Sequence, residues 1–216
     1  MKKSIIILTI IFLAFAIVSC KSKKEQNLPD EVESLLEEIE DLPQGKADPK
    51  KVFKMEQGYV KYKNIAAGQE MTREWWFDDY GTKQFEENYL MIMGQKAGGY
   101  TLVLDGFRYT WDYEANQGAK MKFYAAEATD YEHISAKDKE RYGLETHGYE
   151  EVCGKRCLKV TMEKPMKATV WMWESIPLKT VSSYGGQDVI MEALEIKTST
   201  ESSKFDLPTG INFIES

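Results

Sequence analysis

The chain has 216 residues and a formal net charge of −7, with 43% hydrophobic and 29% charged residues. This composition is ordinary for a globular protein, and a net acidic chain without a basic cluster argues against nucleic acid as a partner. Aromatic residues and methionine are frequent, with 12 Tyr, 9 Phe, 5 Trp and 10 Met. They favour strands and adaptable apolar packing.

The chain begins with a positively charged start, Lys2 and Lys3, and continues with an apolar run from Ile5 to Val18. This pattern is typical of a secretory signal peptide. The apolar run is shorter than the roughly 20 residues that a membrane-spanning helix needs. We therefore interpret residues 1–19 as a leader that is removed, and we set aside the alternative of an uncleaved transmembrane anchor.

The end of the leader, Ile17-Val18-Ser19-Cys20, resembles the lipobox of bacterial lipoproteins. The resemblance implies cleavage after Ser19 and acyl chains such as palmitate on Cys20. Two or more acyl chains hold a protein stably on a membrane. Lys21 is not the acidic residue that retains many lipoproteins in the inner membrane, so the resemblance implies the outer membrane. We expect the protein to lie on the periplasmic face of this membrane, and the cell surface is the alternative.

Residues 20–28 are polar without periodicity and predict a tether. Segment 29–56 is predicted as an acidic amphipathic helix followed by a linker. Pro29 stands at the start of the helix and Pro43 at its end, and between them apolar residues recur at helical spacing: Val32, Leu35, Leu36, Ile39 and Leu42. We expect its apolar stripe to dock on the chain's own sheet. A lid, or a helix presented to another protein, is the alternative.

Residues 57–216 alternate as strands do and predict one domain. The predicted strands are Tyr59–Ile65, Met71–Tyr80, Phe85–Met93, Tyr100–Leu104, Phe107–Tyr113, Ala119–Ala125, Thr146–Cys153, Cys157–Glu163, Lys167–Trp173, Leu178–Tyr184 and Gln187–Thr198. Asp105-Gly106 is a strong hairpin turn. Gly94 to Gly99 is predicted as a loop, and Thr129 to Gly143 as one or two short helices with Ser135 and Asp138 at a helix start. The tail 205–211 is predicted as irregular and packed on the sheet.

Several predicted strands are apolar on both faces, as in Trp75-Trp76-Phe77 and Val170-Trp171-Met172. A half-exposed sheet shows one polar face, so two apolar faces need two covers. We therefore predict a mainly β fold in which a single strongly curved antiparallel sheet, an incomplete barrel, is covered by one to three short helices. A two-sheet sandwich is the alternative.

From residue 57 to about 213 the chain resembles the superfamily of periplasmic lipoprotein carriers and outer-membrane lipoprotein receptors, the Lol-type half-barrel, and its uncharacterised lipoprotein members. The resemblance rests on Glu74-Trp75-Trp76-Phe77-Asp78-Asp79-Tyr80-Gly81, Asp105-Gly106-Phe107-Arg108-Tyr109, residues 151–159, residues 170–179 and the closing residues 205–211. It implies helices over an apolar cavity that binds acyl chains. No lipoprotein-transfer loop is identified, so receptor activity is not implied.

Cys153 and Cys157 are the only other cysteines. A three-residue turn, Gly154 to Arg156, would place their thiols on facing strand ends, and in an exported protein we expect a disulfide, with reduced packing thiols as the alternative. His133 and His147 are predicted as loop or surface residues, so no metal site is expected. The two pairs of adjacent carboxylates, 78–79 and 86–87, are each expected to place their two side chains on opposite faces of a strand.

The sequence contains no nucleophile elbow and no phosphate loop, so we expect a non-enzymatic protein without a cofactor. The first hypothesis is an envelope lipoprotein that binds a lipid or other hydrophobic ligand. The second is an envelope interaction or sensor module with a filled β core. The candidate ligand-binding residues occupy alternating strand positions and are Trp75, Phe77, Met91, Met93, Leu102, Leu104, Tyr109, Trp111, Met121, Phe123, Trp171 and Trp173.

Overall fold

The computed structural model describes residues 51–123, 131–164, 166–184 and 187–215. The leader, Cys20, the tether and the predicted helix near the N-terminus lie outside the described residues, as do residues 124–130. Within the described part of the chain, no helix is long and apolar enough to cross a membrane.

Twelve strands and one α-helix make up most of the described ranges. The strands are β1 Gly58–Ala66, β2 Gln69–Asp78, β3 Lys83–Ile92, β4 Gln95–Leu104, β5 Phe107–Asp112, β6 Gln117–Lys122, β7 Glu145–Val152, β8 Lys155–Met162, β9 Ala168–Trp173, β10 Ile176–Tyr184, β11 Gln187–Lys197 and β12 Asn212–Glu215. The α-helix is α1 Ala136–Tyr142, and 3-10 turns span Asp79–Gly81, Tyr131–His133 and Ser202–Phe205.

All twelve strands form one open, curved sheet with the order β12-β6-β5-β4-β3-β2-β1-β11-β10-β9-β8-β7. Neighbouring strands are antiparallel, except that β12 runs parallel to β6. Strand β1 pairs with β2 on one side and with β11 on the other. The predicted single curved sheet is therefore confirmed, and the sandwich alternative is wrong.

The strand register assigns each side chain to one of two faces, because successive residues point to opposite sides. The first face carries the cross-strand pair Val60 and Trp75, and the second face carries the pair Tyr59 and Trp76. Large apolar side chains are buried on both faces, as the double-sided strand pattern predicted. On the first face these include Val60, Tyr62, Trp75, Phe77, Val160, Val170 and Met191. On the second face they include the cluster of Tyr59, Trp76, Phe85, Leu102 and Tyr109, joined by Phe205.

The segment before β1 is fixed to the first face by one buried aromatic side chain. The ring of Phe53 lies edge-on to Trp75 and Phe77, with centroid distances of 5.1 and 5.0 Å. The backbone N–H groups of Val52 and Phe53 both donate to the carbonyl of Tyr80, at 2.8 and 3.0 Å. This segment therefore covers one end of the first face.

The turn Asp79–Gly81 is shaped to receive that segment. Its three residues all have positive φ, 50°, 55° and 85°. At Gly81 a Cβ atom would clash with the Phe53 ring. Glycine is thus required there by packing as well as by conformation.

Tight two-residue turns connect β3 to β4 and β4 to β5. Met93-Gly94 and Asp105-Gly106 both have two consecutive positive φ values, as hairpin turns with the right-handed strand twist require. The predicted loop from Gly94 to Gly99 is wrong, because β4 starts directly after the turn. Gly98 lies inside β4, where a Cβ atom would clash with the Asn88 carbonyl oxygen.

The helix α1 has the boundaries that its sequence predicts. The Ser135 side chain accepts a hydrogen bond from the Asp138 backbone N–H at 3.1 Å, and Gly143 ends the helix in the left-handed conformation with φ of 59°. Tyr142 and Leu144 are buried beside it. The N-terminal capping prediction is confirmed.

The C-terminal tail 205–211 packs on the second face and is irregular after Phe205, as predicted, and an unpredicted strand follows it. Phe205 is buried in the second-face aromatic cluster. Residues 212–215 then form β12, and the centroid of the Phe213 ring lies 5.1 Å from the ring centroid of Tyr109 and 5.7 Å from that of Trp111. A Cβ atom on Gly118 would lie 2.6 Å from that ring, so the glycine makes room for the tail.

Cys153 and Cys157 are both free thiols in the structure. The predicted three-residue turn is wrong: Cys153 and Gly154 themselves form the turn, with φ of 50° and 70°, and Cys157 lies opposite Glu150 rather than opposite Cys153. Cys153 is exposed and Cys157 is buried. The expected disulfide is therefore absent from the structure, because its premise of facing strand ends does not hold.

Candidate ligand-binding site

On β4, β5 and β6 the first face carries a patch of small side chains, which we call the small-residue floor. The pairs Thr101–Thr110 and Thr110–Ala119 lie directly opposite each other across three strands. By alternation, Gly99 and Ala97 continue the same face along β4. The members of the small-residue floor are Ala97, Gly99, Thr101, Thr110 and Ala119.

Apolar side chains of larger size border the small-residue floor. Leu90 lies opposite Ala97 on β3, and Met121 lies beyond the other end, opposite Arg108. Phe123 follows Met121 on the same face. All three are half-buried, whereas the aromatic side chains of β1 and β2 on this face are fully buried. The first face therefore changes from a packed core to a shallow apolar region with small side chains at its base.

An ion pair lies beside the floor on the same face. The Arg73 guanidinium donates from Nε and Nη2 to the two carboxylate oxygens of Glu86, at 3.0 and 2.6 Å. Arg73 is buried, and its guanidinium stands 4.8 Å from the centroid of the Trp75 ring. The bidentate geometry makes this a strong pair and fixes the Glu86 carboxylate.

Arg108 also lies on the first face, and it has no such partner among the described residues. Its Nε atom is buried without a hydrogen bond, and no described residue forms an ion pair with its guanidinium. The guanidinium lies 4.3 Å from the centroid of the Phe123 ring. Burial lowers the pKa of Arg108; the Arg73 charge acts in the same direction and the Glu86 charge opposes it.

Two further polar atoms of the first face are buried without a partner among the described residues. They are Asn64 Oδ1 and Trp75 Nε1. Buried polar atoms in folded proteins are nearly always hydrogen-bonded, so each exception calls for an explanation. Three of the buried polar atoms without a partner, on Asn64, Trp75 and Arg108, therefore belong to strands of this one face.

The second face has the opposite character, because two of its carboxylates each accept two hydrogen bonds. Glu74 accepts hydrogen bonds from Tyr59 and Tyr89 at 3.0 and 3.1 Å. Burial opposes ionisation of Glu74, but these hydrogen bonds together with the charges of Lys61 and Lys96 outweigh it, and the pKa of the carboxyl is lowered. Glu87 accepts from Tyr113 and Lys96, each at 2.7 Å. Glu86 and Glu87 therefore do split between the faces, as predicted.

The predicted ligand-binding residues do not share one surface. Trp75, Phe77, Met121 and Phe123 belong to the first face. By register, the other strand residues of the set lie on the second face; they are Met91, Leu102, Leu104, Tyr109, Trp111, Trp171 and Trp173. Trp171 is buried there and its indole N–H donates to Glu150 at 2.7 Å. The ligand role of the set stays a prediction, and of its members only Met121 and Phe123 border the small-residue floor.

Met91 and Met93 lie at the tip of the β3–β4 hairpin. The exposed fractions of Met91, Ile92 and Met93 are 58%, 53% and 101%. We call this stretch the exposed apolar tip. Its side chains are mostly in contact with solvent, so both methionines are placed where a partner molecule, rather than an internal ligand, would meet them.

Arg108 and the small-residue floor are site features that the sequence alone does not reveal. The signal for the floor in the sequence is the alternation of small residues at 97, 99 and 101. Part of this stretch is predicted as a loop because of its glycines. Arg108 stands between Phe107 and Tyr109, and only the register shows that it faces away from both. His133 and His147 are exposed, as predicted, and within the described ranges no three His, Cys, Asp or Glu side chains meet as a metal site.

Comparison with known proteins supports the fold. No protein-family model matches the chain, and no curated protein matches it in sequence. An uncharacterized conserved protein from Thermus thermophilus aligns over 86% of this chain and 99% of its own length, at 10% identity and a TM-score of 0.55.

Two further solved structures are similar at a lower level. The Pseudomonas aeruginosa MucA/MucB complex aligns over 71% of this chain and 56% of its own, at 12% identity and a TM-score of 0.47. LprF from Mycobacterium bovis aligns over 68% and 89%, at 10% identity and a TM-score of 0.36. The curved-sheet fold of this chain is thus shared with the Thermus protein over nearly the full length of the latter.

Proposed function

We propose that this chain is a non-enzymatic binding protein of the bacterial cell envelope that holds a lipid or another hydrophobic ligand on the first face. The observation that carries the proposal is the small-residue floor, bordered by the half-buried Leu90 and Met121. Small side chains at the base of an apolar surface leave room for a guest molecule. The resemblance to the lipoprotein-carrier superfamily, whose characterised members bind acyl chains, agrees with this.

The energetics of such a site are favourable for an acyl chain. Each buried methylene contributes about 0.8 kcal/mol, so covering roughly ten of them contributes about 8 kcal/mol. The loss of translational and rotational freedom opposes this with at least about 4 kcal/mol. The difference corresponds to dissociation constants of about the millimolar range, before any polar contact is counted.

The envelope location rests on the sequence of the leader. Lys2, Lys3 and the apolar run predict export, and Cys20 predicts a lipid anchor. In this proposal the anchor holds the protein on the outer membrane, facing the periplasm. Replacing Cys20 with alanine would release the protein into the soluble periplasmic fraction, and mass spectrometry of the N-terminal peptide would detect the acyl chains.

Native mass spectrometry tests the ligand. The chain from Lys21 onward is purified from the periplasm of a bacterial host and analysed intact, then again after denaturation. We expect a released lipid or fatty acid of defined mass. A bare protein mass, together with no mass shift after adding fatty acids or lysophospholipids, would contradict ligand binding.

A matched pair of variants locates the ligand. Thr101→Phe fills the small-residue floor, whereas Thr72→Phe places the same ring on the second face, since Thr72 lies opposite Tyr89. Both threonines are half-buried in central strands. We expect at least a tenfold loss of fatty-acid affinity in the first variant only. Equal losses in both variants would show that the small-residue floor is not the site.

The exposed apolar tip supports a second candidate function, in which the tip inserts into an apolar cleft of another envelope protein. An exposed run of three apolar residues at a hairpin tip is the kind of surface that is common at protein interfaces. A photo-crosslinking amino acid at Met93 is compared in living cells with one at Asp105, which occupies the same kind of hairpin turn. A single protein adduct at Met93 alone supports this function; identical adducts at both positions would contradict it.

A further inference from the structure

The unpaired charge of Arg108 carries a more specific inference about the ligand. We propose that the Arg108 guanidinium receives the anionic head group, a carboxylate or a phosphate, of an amphiphile whose apolar chain covers the small-residue floor. This head-group site rests on the proposed function, since it names the chemical class of the ligand held at the same face.

The charges of the first face do not balance at Arg108. Arg73 and Glu86 neutralise each other through two hydrogen bonds, so the Glu86 carboxylate is already occupied. Asp112, further along β5, is exposed and forms no ion pair with Arg108 in the described chain. Among the described residues, one positive charge on this apolar surface therefore has no counter-charge, and burying a charge without a partner is costly.

The position of Arg108 relative to the floor suits an amphiphile. Arg108 lies two residues before Thr110 on β5, and its cross-strand neighbours Val103 and Met121 are apolar. The guanidinium stacks on Phe123, which leaves its N–H groups free for a planar, bidentate acceptor. A head group bound there has the small-residue floor directly beside it, so an attached chain meets Thr110, Thr101 and Ala97 in turn.

The chemistry of the donor selects an anion. Guanidinium groups match carboxylate and phosphate oxygens in a bidentate geometry, and the bond is roughly twice as strong as one between neutral groups. The indole N–H of Trp75 is a further buried donor of this face without an acceptor among the described residues. A neutral lipid would leave Arg108 without an anionic partner.

The test uses ligands with one chain and different head groups. Decanoate, decyl phosphate, decanol and decyltrimethylammonium are titrated, below their aggregation limits, into the chain from Lys21 onward, and binding is followed by tryptophan fluorescence and calorimetry. We expect the two anions to bind about 10- to 100-fold more tightly than decanol, the gain typical of a hydrogen bond to a charged group. The stronger of the two anions identifies the head group as carboxylate or phosphate.

The variant Arg108→Met removes the charge and keeps much of the length of the side chain. We expect it to bind decanoate and decyl phosphate no better than decanol, whereas Arg108→Lys keeps a partial preference for anions. Thermal unfolding checks that Arg108→Met is folded. A preference for anions that survives Arg108→Met, or equal binding of decanoate and decanol to the unmodified chain, would overturn the head-group site and leave apolar binding intact. Failure of all four ligands to bind would overturn the proposed function itself.

Discussion

Replacing Gly81 with alanine tests whether the segment before β1 is held by the packing of Phe53 into a turn that only glycine allows. Gly81 has φ of 85°, and a Cβ atom there would clash with the Phe53 ring. A left-handed conformation costs a non-glycine residue about 1–2 kcal/mol, and overpacking a buried contact costs about 1–3 kcal/mol. We therefore expect Gly81→Ala to lower the free energy of unfolding by about 2–5 kcal/mol.

Gly94 provides a matched control for the conformational part of this cost. Its φ is 82°, but nothing lies within 4 Å of its Cβ position. We expect Gly94→Ala to cost only about 1–2 kcal/mol, so the difference between the two variants measures the contact with Phe53. Urea unfolding followed by far-UV circular dichroism and tryptophan fluorescence gives both values, provided that the slopes agree.

A double variant makes the cause specific. In a Phe53→Ala background the ring is gone and only Val52 Cβ, at 3.0 Å, stays close to the new methyl group, so the additional cost of Gly81→Ala should fall towards that of Gly94→Ala. Phe53→Ala alone is expected to cost about 3–5 kcal/mol, because the side chain is fully buried. Equal costs for Gly81→Ala and Gly94→Ala in the unmodified chain, or no coupling between Phe53 and Gly81, would refute the reasoning.

Three further predictions concern charged and ionisable groups. Arg73→Met leaves the Glu86 carboxylate without its bidentate donor and should cost about 3 kcal/mol, whereas adding Glu86→Leu should recover most of this loss in urea unfolding; no recovery would contradict the pairing. The pKa of Glu74 is lowered in the folded protein. Its contribution to stability is therefore present above the pKa that Glu74 has in the unfolded chain, and it is lost as the pH falls through the pKa in the folded protein. In the variant Glu74→Gln, the free energy of unfolding should consequently fall less steeply with decreasing pH over this range. Burial raises the pKa of Cys157 to about 11, so iodoacetamide at a mildly alkaline pH should label the exposed Cys153 and leave Cys157 unmodified until the protein is unfolded, which peptide mass spectrometry would show.

Local signals in the sequence were sufficient for most elements of the sheet. The hairpin at Asp105-Gly106 was predictable because glycine and aspartate tolerate positive φ at adjacent positions. The turn at Glu174-Ser175 was not, since both residues are non-glycine and have φ of 48° and 65°. The strand β12 was missed for a different reason: its parallel pairing with β6 depends on a partner almost 100 residues earlier, about which local patterns say nothing.

The candidate site was harder to predict than the fold, because it depends on register. Alternation places Arg108 and Tyr109 on opposite faces, but it does not tell which neighbours each face provides. The charge of Arg108 becomes informative only when Glu86 is seen to be occupied by Arg73. In the same way, the turn begins one residue earlier than predicted. Cys153 therefore lies in the turn itself rather than at a strand end, and it does not face Cys157 as expected.

The pairing of β1 with β11 has a consequence for how the protein is made. The two strands lie side by side in the sheet, yet Tyr59 is matched with Lys197, so almost the whole domain must be synthesised before they meet. Contacts between residues so distant in sequence slow folding. Until β11 arrives, one edge of Gly58–Ala66 offers unpaired backbone groups to any other extended chain. A chaperone that shields this edge would therefore raise the yield of folded protein, and a truncation before residue 187 would favour aggregation.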